Sequence, residues 1–300
     1  MSLLSPQVAA FIAVVEEASF EGAAKRLSVT PSAISQRIKV LEDRVGQLLV
    51  IRQSPCKPTP AGEQLLSKVK PMALLEAEVM EEFLPERDHT PQTNMLSIAV
   101  NEDSLSTWLL SALAQLHREY NYLFDLCVDD QDYTLEQLKN GNVIGALTSE
   151  KKPLQGCTVH SLGNMRYCAV ASPQFAEQYF SQGLTAQAFQ QAPMLIYNRK
   201  DPLQVRFVKN ITGQTIRPSR LHYLPNSIQL VAAASQHMGW CMAAEGLFDD
   251  AVKQGKIVNI APEFWLEEPL YWQHAAVRSK VLSRVTEVFY STSANMLYRS

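Results

Sequence analysis

Residues 20–46 read F-E-G-A-A-K-R-L-S-V-T-P-S-A-I-S-Q-R-I-K-V-L-E-D-R-V-G, and their punctuation decides the fold of the head of the chain. Ala23, Ala24 and Leu27 line one face of a short helix over 21–27, small enough for a second helix to approach closely. Ser28-Val29-Thr30 interrupts that pattern. Thr30 suits an N-cap and Pro31 the first helical position, where a missing N–H costs nothing. The spacing of Ile34, Ile38, Leu41 and Val45 predicts a helix with these four facing inward, and Gly46 can take the left-handed position that ends it. Upstream, Val8, Phe11, Ile12 and Val15 recur at helical spacing and predict an amphipathic helix over residues 5–17. Downstream, residues 48–52 predict a strand and 54–58 a turn, after which Thr59 and Pro60 restart a helix by the same cap logic. The order is that of a winged helix-turn-helix.

What such a head does depends on the face that its third helix turns outward. With Ile34, Ile38 and Leu41 committed to the core, the opposite stripe is Ser32, Ser35, Gln36 and Lys39, with Arg37 on the flank. Gln can bridge adenine N6 and N7, Arg can bridge guanine O6 and N7, and Ser and Lys reach phosphates or base edges. The amides of the first helical turn, following Thr30 and Pro31, point at phosphate. The competing reading is a solvated polar face on a three-helix bundle. Charge is unevenly spread: seven basic against three acidic residues from Phe20 to Lys57 give +4, and three against seven from Pro60 to Asp88 give −4. The whole chain carries −3, which argues against nonspecific coating of nucleic acid and makes the head the candidate for a polyanion.

The restarted helix is predicted to run to about Phe83, with Leu65, Val69, Met72, Glu76, Val79 and Phe83 along one stripe and Pro71 inside it, where it should kink the helix or remove a backbone bond. Such a helix serves as a dimerisation arm or packs on its own domain. The polar, proline-bearing residues 85–94 mark a domain boundary. From Met95 the texture is alternating: a strand at 95–101, a helix at 102–118, strands at 123–128, 143–148 and 167–171 with a helix at 134–139 among them, and the same alternation to the end. This predicts α/β architecture with parallel sheets and crossover helices.

The motifs of the head resemble those of the LysR-type transcriptional regulators: the A-A-x-x-L of 23–27, S-A-I-S-Q at 32–36, Leu41-Glu42, Gly46, Arg52, and T-P-A-G at 59–62. The resemblance implies that Ser32, Ser35, Gln36 and Arg37 meet DNA at the major groove, with Arg52 and Lys57 in the wing; Thr30, Pro31 and Lys39 join them as DNA-binding candidates from the helix start and its outward face. It implies a head over 1–59, a linker and dimerisation helix over 60–90, and an effector-binding region over 91–300. That region would be a two-lobed fold like the type 2 periplasmic binding proteins, lobe I over 91–165 with 268–300 and lobe II over 166–267. Blocks such as N-E-D-S-L-S-T-W-L-L (101–110), Y-N-R-K-D-P-L-Q (197–204), L-P-N-S (224–227) and M-G-W-C-M (238–242) are similar to the ArgP/LysG subgroup, which responds to lysine and arginine. Ile144 stands where many family members carry Asp. The implied partners are an interrupted palindrome of double-stranded DNA, lysine or arginine as small-molecule effector, a second or further copies of the chain as homodimer or tetramer, and RNA polymerase.

A cationic amino acid needs an anion site for its carboxylate and a carboxylate for its distal charge, because a buried unpaired ammonium costs several kcal/mol. The strand over 95–101 runs into a helix through Glu102-Asp103-Ser104, and a strand end meeting a helix start is an anion site. Ser104 or Ser106 suits the effector carboxylate, although plain N-cap duty explains Ser104 equally well. Asp129 and Asp130 are the first choices for the distal charge, Asp103 and Asp201 the second, and Asn198 and Ser227 supply polar contacts; for each acid, a solvated surface position is the competing use.

Composition excludes other classes. With 46% hydrophobic and 19% charged residues over 300 positions, the chain has the apolar mass for real cores and is no disordered, collagenous or coiled-coil protein. Five cysteines, at 56, 127, 157, 168 and 241, form no CxxC pair, and the six histidines show no metal-ligand spacing, so reduced thiols and no metal are expected. The opening residues read as neither signal peptide nor membrane span, which predicts a cytoplasmic protein without membrane partners. GxSxG, HExxH, Walker and GxGxxG motifs are all absent, and no cofactor is implied. An enzyme fused to a DNA-binding head is the remaining reading of a different class; the same regulator with another effector is the nearer alternative.

Overall fold

The computed structural model describes residues 3–83, 95–128 and 131–299. Three helices come first, α1 (Pro6–Glu16), α2 (Phe20–Arg26) and α3 (Pro31–Val45). Each begins at a hydroxyl cap: Ser5, Ser19 and Thr30 accept from the amides of Val8, Gly22 and Ala33. Each cap satisfies one of the donors that a helix start leaves open. Gly46 ends α3 with φ of 75°, the conformation that glycine adopts without steric cost. Phe11, Val14, Ala23, Ile34, Ile38, Leu49 and Leu66 are completely buried in one core, worth about 1.5–3 kcal/mol for each large side chain removed from water. Val14 rather than Val15 lies deepest, because α1 packs against α2 and α3 on one side and the linker helix on the other. Val45, expected inward, is 41% exposed, since α3 outruns its packing partners in its last turn.

Strands β1 (Val50–Ile51) and β2 (Lys57–Pro58) pair antiparallel as a short wing, Val50 opposite Pro58 and Ile51 opposite Lys57. Helix α4 (Pro60–Phe83) then runs unbroken through Pro71. Its buried edge is Gly62, Leu66 and Val69, which pack into the head core with Ala73 beside them. The predicted stripe is therefore rotated: Val69 is buried and Leu65 half-buried, but Met72, Val79 and Phe83 are exposed.

From Met95 the elements are β3 (Met95–Val100), α5 (Glu102–Ser104), a single π-helical turn (Leu105–Leu109), α6 (Leu110–Tyr120), β4 (Leu123–Val128), α7 (Gln131–Lys139), β5 (Gly145–Thr148), β6 (Cys157–Ala171), α8 (Pro173–Phe180), α9 (Ala186–Gln191), β7 (Met194–Ile196), α10 (Leu203–Thr212), β8 (Leu221–Tyr223), α11 (Ser227–Ser235), β9 (Cys241–Ala244), α12 (Asp249–Lys253), β10 (Val258–Asn259), β11 (Leu266–Ala275) and α13 (Lys280–Ser293). The chain divides into two compact units. Unit 1 holds Met1–Val100, Leu116–His160 and Trp272–Glu287; unit 2 holds Asn101–Gln115, Ser161–Tyr271 and Val288–Ser300. The chain passes from one to the other after β3 and within α6, β6, β11 and α13.

In unit 1, β3 lies between β4 and β5 and is parallel to both, as the alternation predicts. Gly145 in β5 is required by its neighbour, because a Cβ there would lie 2.0 Å from the Trp272 ring. Unit 2 departs from the all-parallel expectation. β7 and β8 are parallel, but β6 pairs antiparallel with both β9 and β10. Its core joins Cys168, Val170, Leu195, Leu230, Ala234 and Cys241, and Trp240 packs 5.0 Å from Phe189 and 5.8 Å from Phe207. All five cysteines are free thiols.

Candidate functional site

The head presents a face that the core does not need. Ser32, Gln36 and Lys39 are exposed along the outer side of α3, and Ser35 and Arg37 are half-buried beside them. Thr30 is spent on the cap, 3.2 Å from the Ala33 amide, and Pro31 is exposed at the first helical position. The side chains of Gln36, Arg37, Lys39 and Lys57 make no hydrogen bond or ion pair with another described residue, which leaves them available to phosphates or base edges. A groove between the start of α3 and the wing is lined by Phe20, Pro31, Ser32, Ser35, Arg52 and Gln53. Arg52 spans it: its guanidinium donates to Ser35 Oγ at 3.2 Å, lies 3.8 Å from Glu42 and stacks 5.4 Å from the Phe20 ring centre. Lys57 is exposed on β2.

Two residues behind this face carry its geometry. Glu42, buried on the inner side of α3, accepts from the Leu49 amide at 2.8 Å and the Val50 amide at 3.3 Å, so one carboxylate holds the base of the wing to the reading helix. Thr59 does the same from the other side. Its hydroxyl donates to Leu48 O at 2.6 Å and accepts from the Gly62 amide at 3.0 Å. Gly62 admits no side chain, because a Cβ would meet Leu49 O at 2.1 Å. The T-P-A-G motif is thus the joint between wing and linker helix. Sequence reading of helix periodicity passes over Glu42, since an acid on an apolar face looks like an interruption; its place in Leu41-Glu42 was the available signal.

A second constellation lies in unit 2. After β3 comes Asn101, a buried residue whose Nδ2 faces Met165 Sδ at 3.7 Å and whose Oδ1 accepts no hydrogen bond from a described residue. Glu102, Asp103 and Ser104 follow as α5, and the π-helical turn after them is a local widening that recurs at functional sites. Glu102 accepts from Asn226 Nδ2 at 2.6 Å, and Asn226 also caps α11 through the Gln229 amide. Asp103 accepts from the buried Tyr167 hydroxyl at 2.8 Å. Asp201 stands in the loop before α10, where Asn198 Oδ1 receives its amide at 3.1 Å and its own carboxylate receives the Leu203 amide at 3.0 Å.

These groups lie within one another's electrostatic reach. Burial pushes the Asp201 carboxyl above its ordinary value, hydrogen bonds from Leu203 and Tyr197 oppose that, and the charge of Asp103 adds to it. Burial raises Tyr167 well above the ordinary tyrosine value, with Asp103, Glu268 and Asp201 adding in the same direction. Acids held together in this way strain against their own charge, and an ammonium or guanidinium placed among them relieves that strain.

The predicted effector residues divide accordingly. Asp103, Ser104, Ser106, Asn198 and Ser227 all belong to unit 2, as does Asp201. Ser104 is completely buried with its hydroxyl 3.5 Å from Met165 Sδ, and Ser227 is buried at the first position of α11. Ser106 is half-buried in the π-helical turn. Asn198 uses its carbonyl to shape the loop, receiving the Lys200 amide at 2.7 Å as well as that of Asp201. Asp129 and Asp130, the first choices for the distal charge, lie outside the described residues. Tyr167 was missed because a tyrosine in an apolar strand signals core. No described helix is long and apolar enough to cross a membrane, and no cluster of three metal-ligating side chains occurs among the described residues.

Comparison with known proteins covers the same parts. Residues 6–63 match the model of the bacterial regulatory helix-turn-helix proteins of the lysR family, and residues 89–292 match that of the LysR substrate binding domain. The HTH-type transcriptional regulator LysG of Mycobacterium bovis is 41% identical over 295 residues, 98% of this chain and 94% of that protein. The crystal structure of ArgP from Mycobacterium tuberculosis superimposes with a TM-score of 0.86 at 41% identity, over 99% of both chains. Full-length LysG from Corynebacterium glutamicum with bound effector Arg does so with a TM-score of 0.75 at 32% identity, over 99% of this chain and 100% of that one. The relatives are transcriptional regulators rather than enzymes, and the matched models cover the helix-turn-helix head and the substrate-binding region of this chain. Head, linker helix and sensor are thus accounted for together, and the chain belongs to the LysR family of bacterial helix-turn-helix regulators.

Proposed function

We propose that the protein is a cytoplasmic sensor of basic amino acids, lysine or arginine, which controls genes for their export or metabolism. Two or four copies place pairs of heads on an interrupted palindrome of double-stranded DNA, with RNA polymerase as the neighbouring partner. The observation that carries the effector class is the grouping of Asp103, Tyr167 and Asp201 in unit 2, where the Tyr167 hydroxyl donates to Asp103 and the two acids act on the same buried groups. Support also comes from the arginine bound to the Corynebacterium LysG. In this reading Asp103 and Asp201 receive the cationic groups of the effector, and the start of α5 with its free Asn101 carbonyl orients the remainder. The effector changes DNA binding only by its differential affinity for two arrangements of the dimer.

Calorimetric titration of the full chain with arginine, lysine and an uncharged amino acid such as norleucine tests this. Selective binding of the basic ones, weakened about 10–100-fold in Asp201→Asn, is the expected result, the size of one charge-assisted hydrogen bond. Equal affinity for norleucine, or unchanged affinity in Asp201→Asn and Asp103→Asn, overturns the site.

A further inference from the structure

The acidic run of the linker helix, −3 over Pro60–Phe83, serves neither the DNA-reading face nor the sensor cluster. Three of its members face the start of α13. Glu78 accepts from the Lys280 amide at 3.1 Å, the Val281 amide at 3.0 Å and the Ser279 hydroxyl at 2.5 Å. Glu82, one turn on, meets Lys280 Nζ at 2.7 Å. Glu81 lies within electrostatic reach of Arg284, which donates to the Tyr122 hydroxyl at 3.1 Å and stacks 4.5 Å over the Tyr120 ring. Open amide donors and the positive end of a 14-residue helix thus receive the carboxylate of another helix.

We infer that Glu78 is the positioning residue through which the effector region holds the linker helix, and with it the spacing of the DNA-reading heads. The inference rests on the reading of the chain as an effector-controlled DNA binder. Its physical basis is the course of α13. The helix begins in unit 1, at the Glu78 contact, and ends in unit 2. In unit 2 the Phe289 ring meets Trp108 edge-on at 5.8 Å, and Trp108 follows Asp103 and Ser104 on the same helical run. Beyond α13, Tyr298 exchanges two backbone hydrogen bonds with Asn164, at 2.8 and 3.0 Å. A rearrangement of unit 2 around an effector therefore pulls on the last turn of α13, and a stiff helix delivers that displacement to its first turn. There Glu78 is the charged hold on α4, and α4 is joined to the wing at Gly62. Glu82 adds less, because its pair with Lys280 is exposed and screened.

The test uses full-length wild type, E78A, E78Q and E82A, on an interrupted palindrome that the wild type selects from random DNA. Anisotropy reads affinity for that sequence and for versions with one or two base pairs inserted between the half-sites; calorimetry reads arginine and lysine. E78A is expected to stay within about threefold of wild type on the selected spacing, while its preference for that spacing and its response to effector each fall about tenfold, the usual scale of coupling between sites. E78Q, which keeps one acceptor, falls between, and E82A behaves as wild type. Undiminished spacing preference in E78A overturns the inference. Should E78A fail to fold, an E78Q that folds and discriminates as the wild type does so too. If wild type binds neither amino acid, the proposed effector falls, whereas the spacing comparison still decides the role of Glu78.

Discussion

Replacing Gly62 by alanine sets two effects of opposite sign against each other. Alanine is favoured over glycine in helices by about 1 kcal/mol, so the substitution should stabilise α4 by up to that amount. The structure opposes it. The new methyl carbon would lie 2.1 Å from Leu49 O, 3.1 Å from Leu49 C and 3.2 Å from Pro58 Cβ. The nearest of these is backbone, so relief requires the base of the wing to move away from α4 by about an ångström, the gap between 2.1 Å and an ordinary carbon–oxygen contact. Leu49 O also receives the Thr59 amide at 3.0 Å, and the shift stretches that bond. Overpacking costs about 1–3 kcal/mol and a weakened hydrogen bond about 1 more. Strain wins, for a net loss of about 1–3 kcal/mol. In thermal unfolding the melting temperature of the head should fall by about 4–24 °C. Operator affinity measured by anisotropy should fall with it, because Arg52 rides on the displaced wing. An unchanged or raised melting temperature refutes the argument, since propensity would then have outweighed contact.

Glu42→Ala leaves the buried amides of Leu49 and Val50 without their acceptor and should cost about 2–4 kcal/mol; faster hydrogen exchange at those two amides is the check, and unaltered exchange contradicts it. Gln36→Ala should weaken specific relative to nonspecific DNA binding by about 1–3 kcal/mol, whereas Lys57→Ala should weaken both alike and lower the salt slope by about one; competition footprints over a salt series distinguish them. If Asp201 receives the cation as proposed, arginine affinity should fall with decreasing pH, because burial holds that carboxyl above its ordinary 3.8. The limiting slope is about tenfold per pH unit, starting from the raised value. Without effector the sign reverses: the folded protein binds this proton more tightly than the unfolded chain, so the contribution to stability is present below 3.8 and is lost as pH rises through the raised value.

The head was legible because its signals are local. Thr30 and Pro31 start α3, Gly46 ends it, and Ile34 and Ile38 are buried as their spacing requires. What the spacing could not show was which neighbour each helix meets. Val45 fails because nothing lies beyond it, and the stripe on α4 is rotated because the head packs on Leu66 and Val69. The sensor was less legible for the same reason. Asp103 and Asp201 lie almost a hundred positions apart, and only the folded chain brings them to Tyr167. The fifteen-residue strand β6 was read only in its last third, since polar residues and Gly163 break up its first part.

The discontinuous course of unit 2 bears on the order in which the protein becomes competent during synthesis. The head core draws only on residues 4–73, so every contact it needs is available before the sensor has been translated. Unit 2 collects its parts from 101–115, 161–271 and 288–300, and Phe289 and Tyr298 must arrive to close it. Local contacts form early and distant ones late. A nascent chain therefore carries a finished DNA reader well before it carries a finished effector region, and a ribosome that stalls after Tyr271 leaves a reader that the effector region cannot govern.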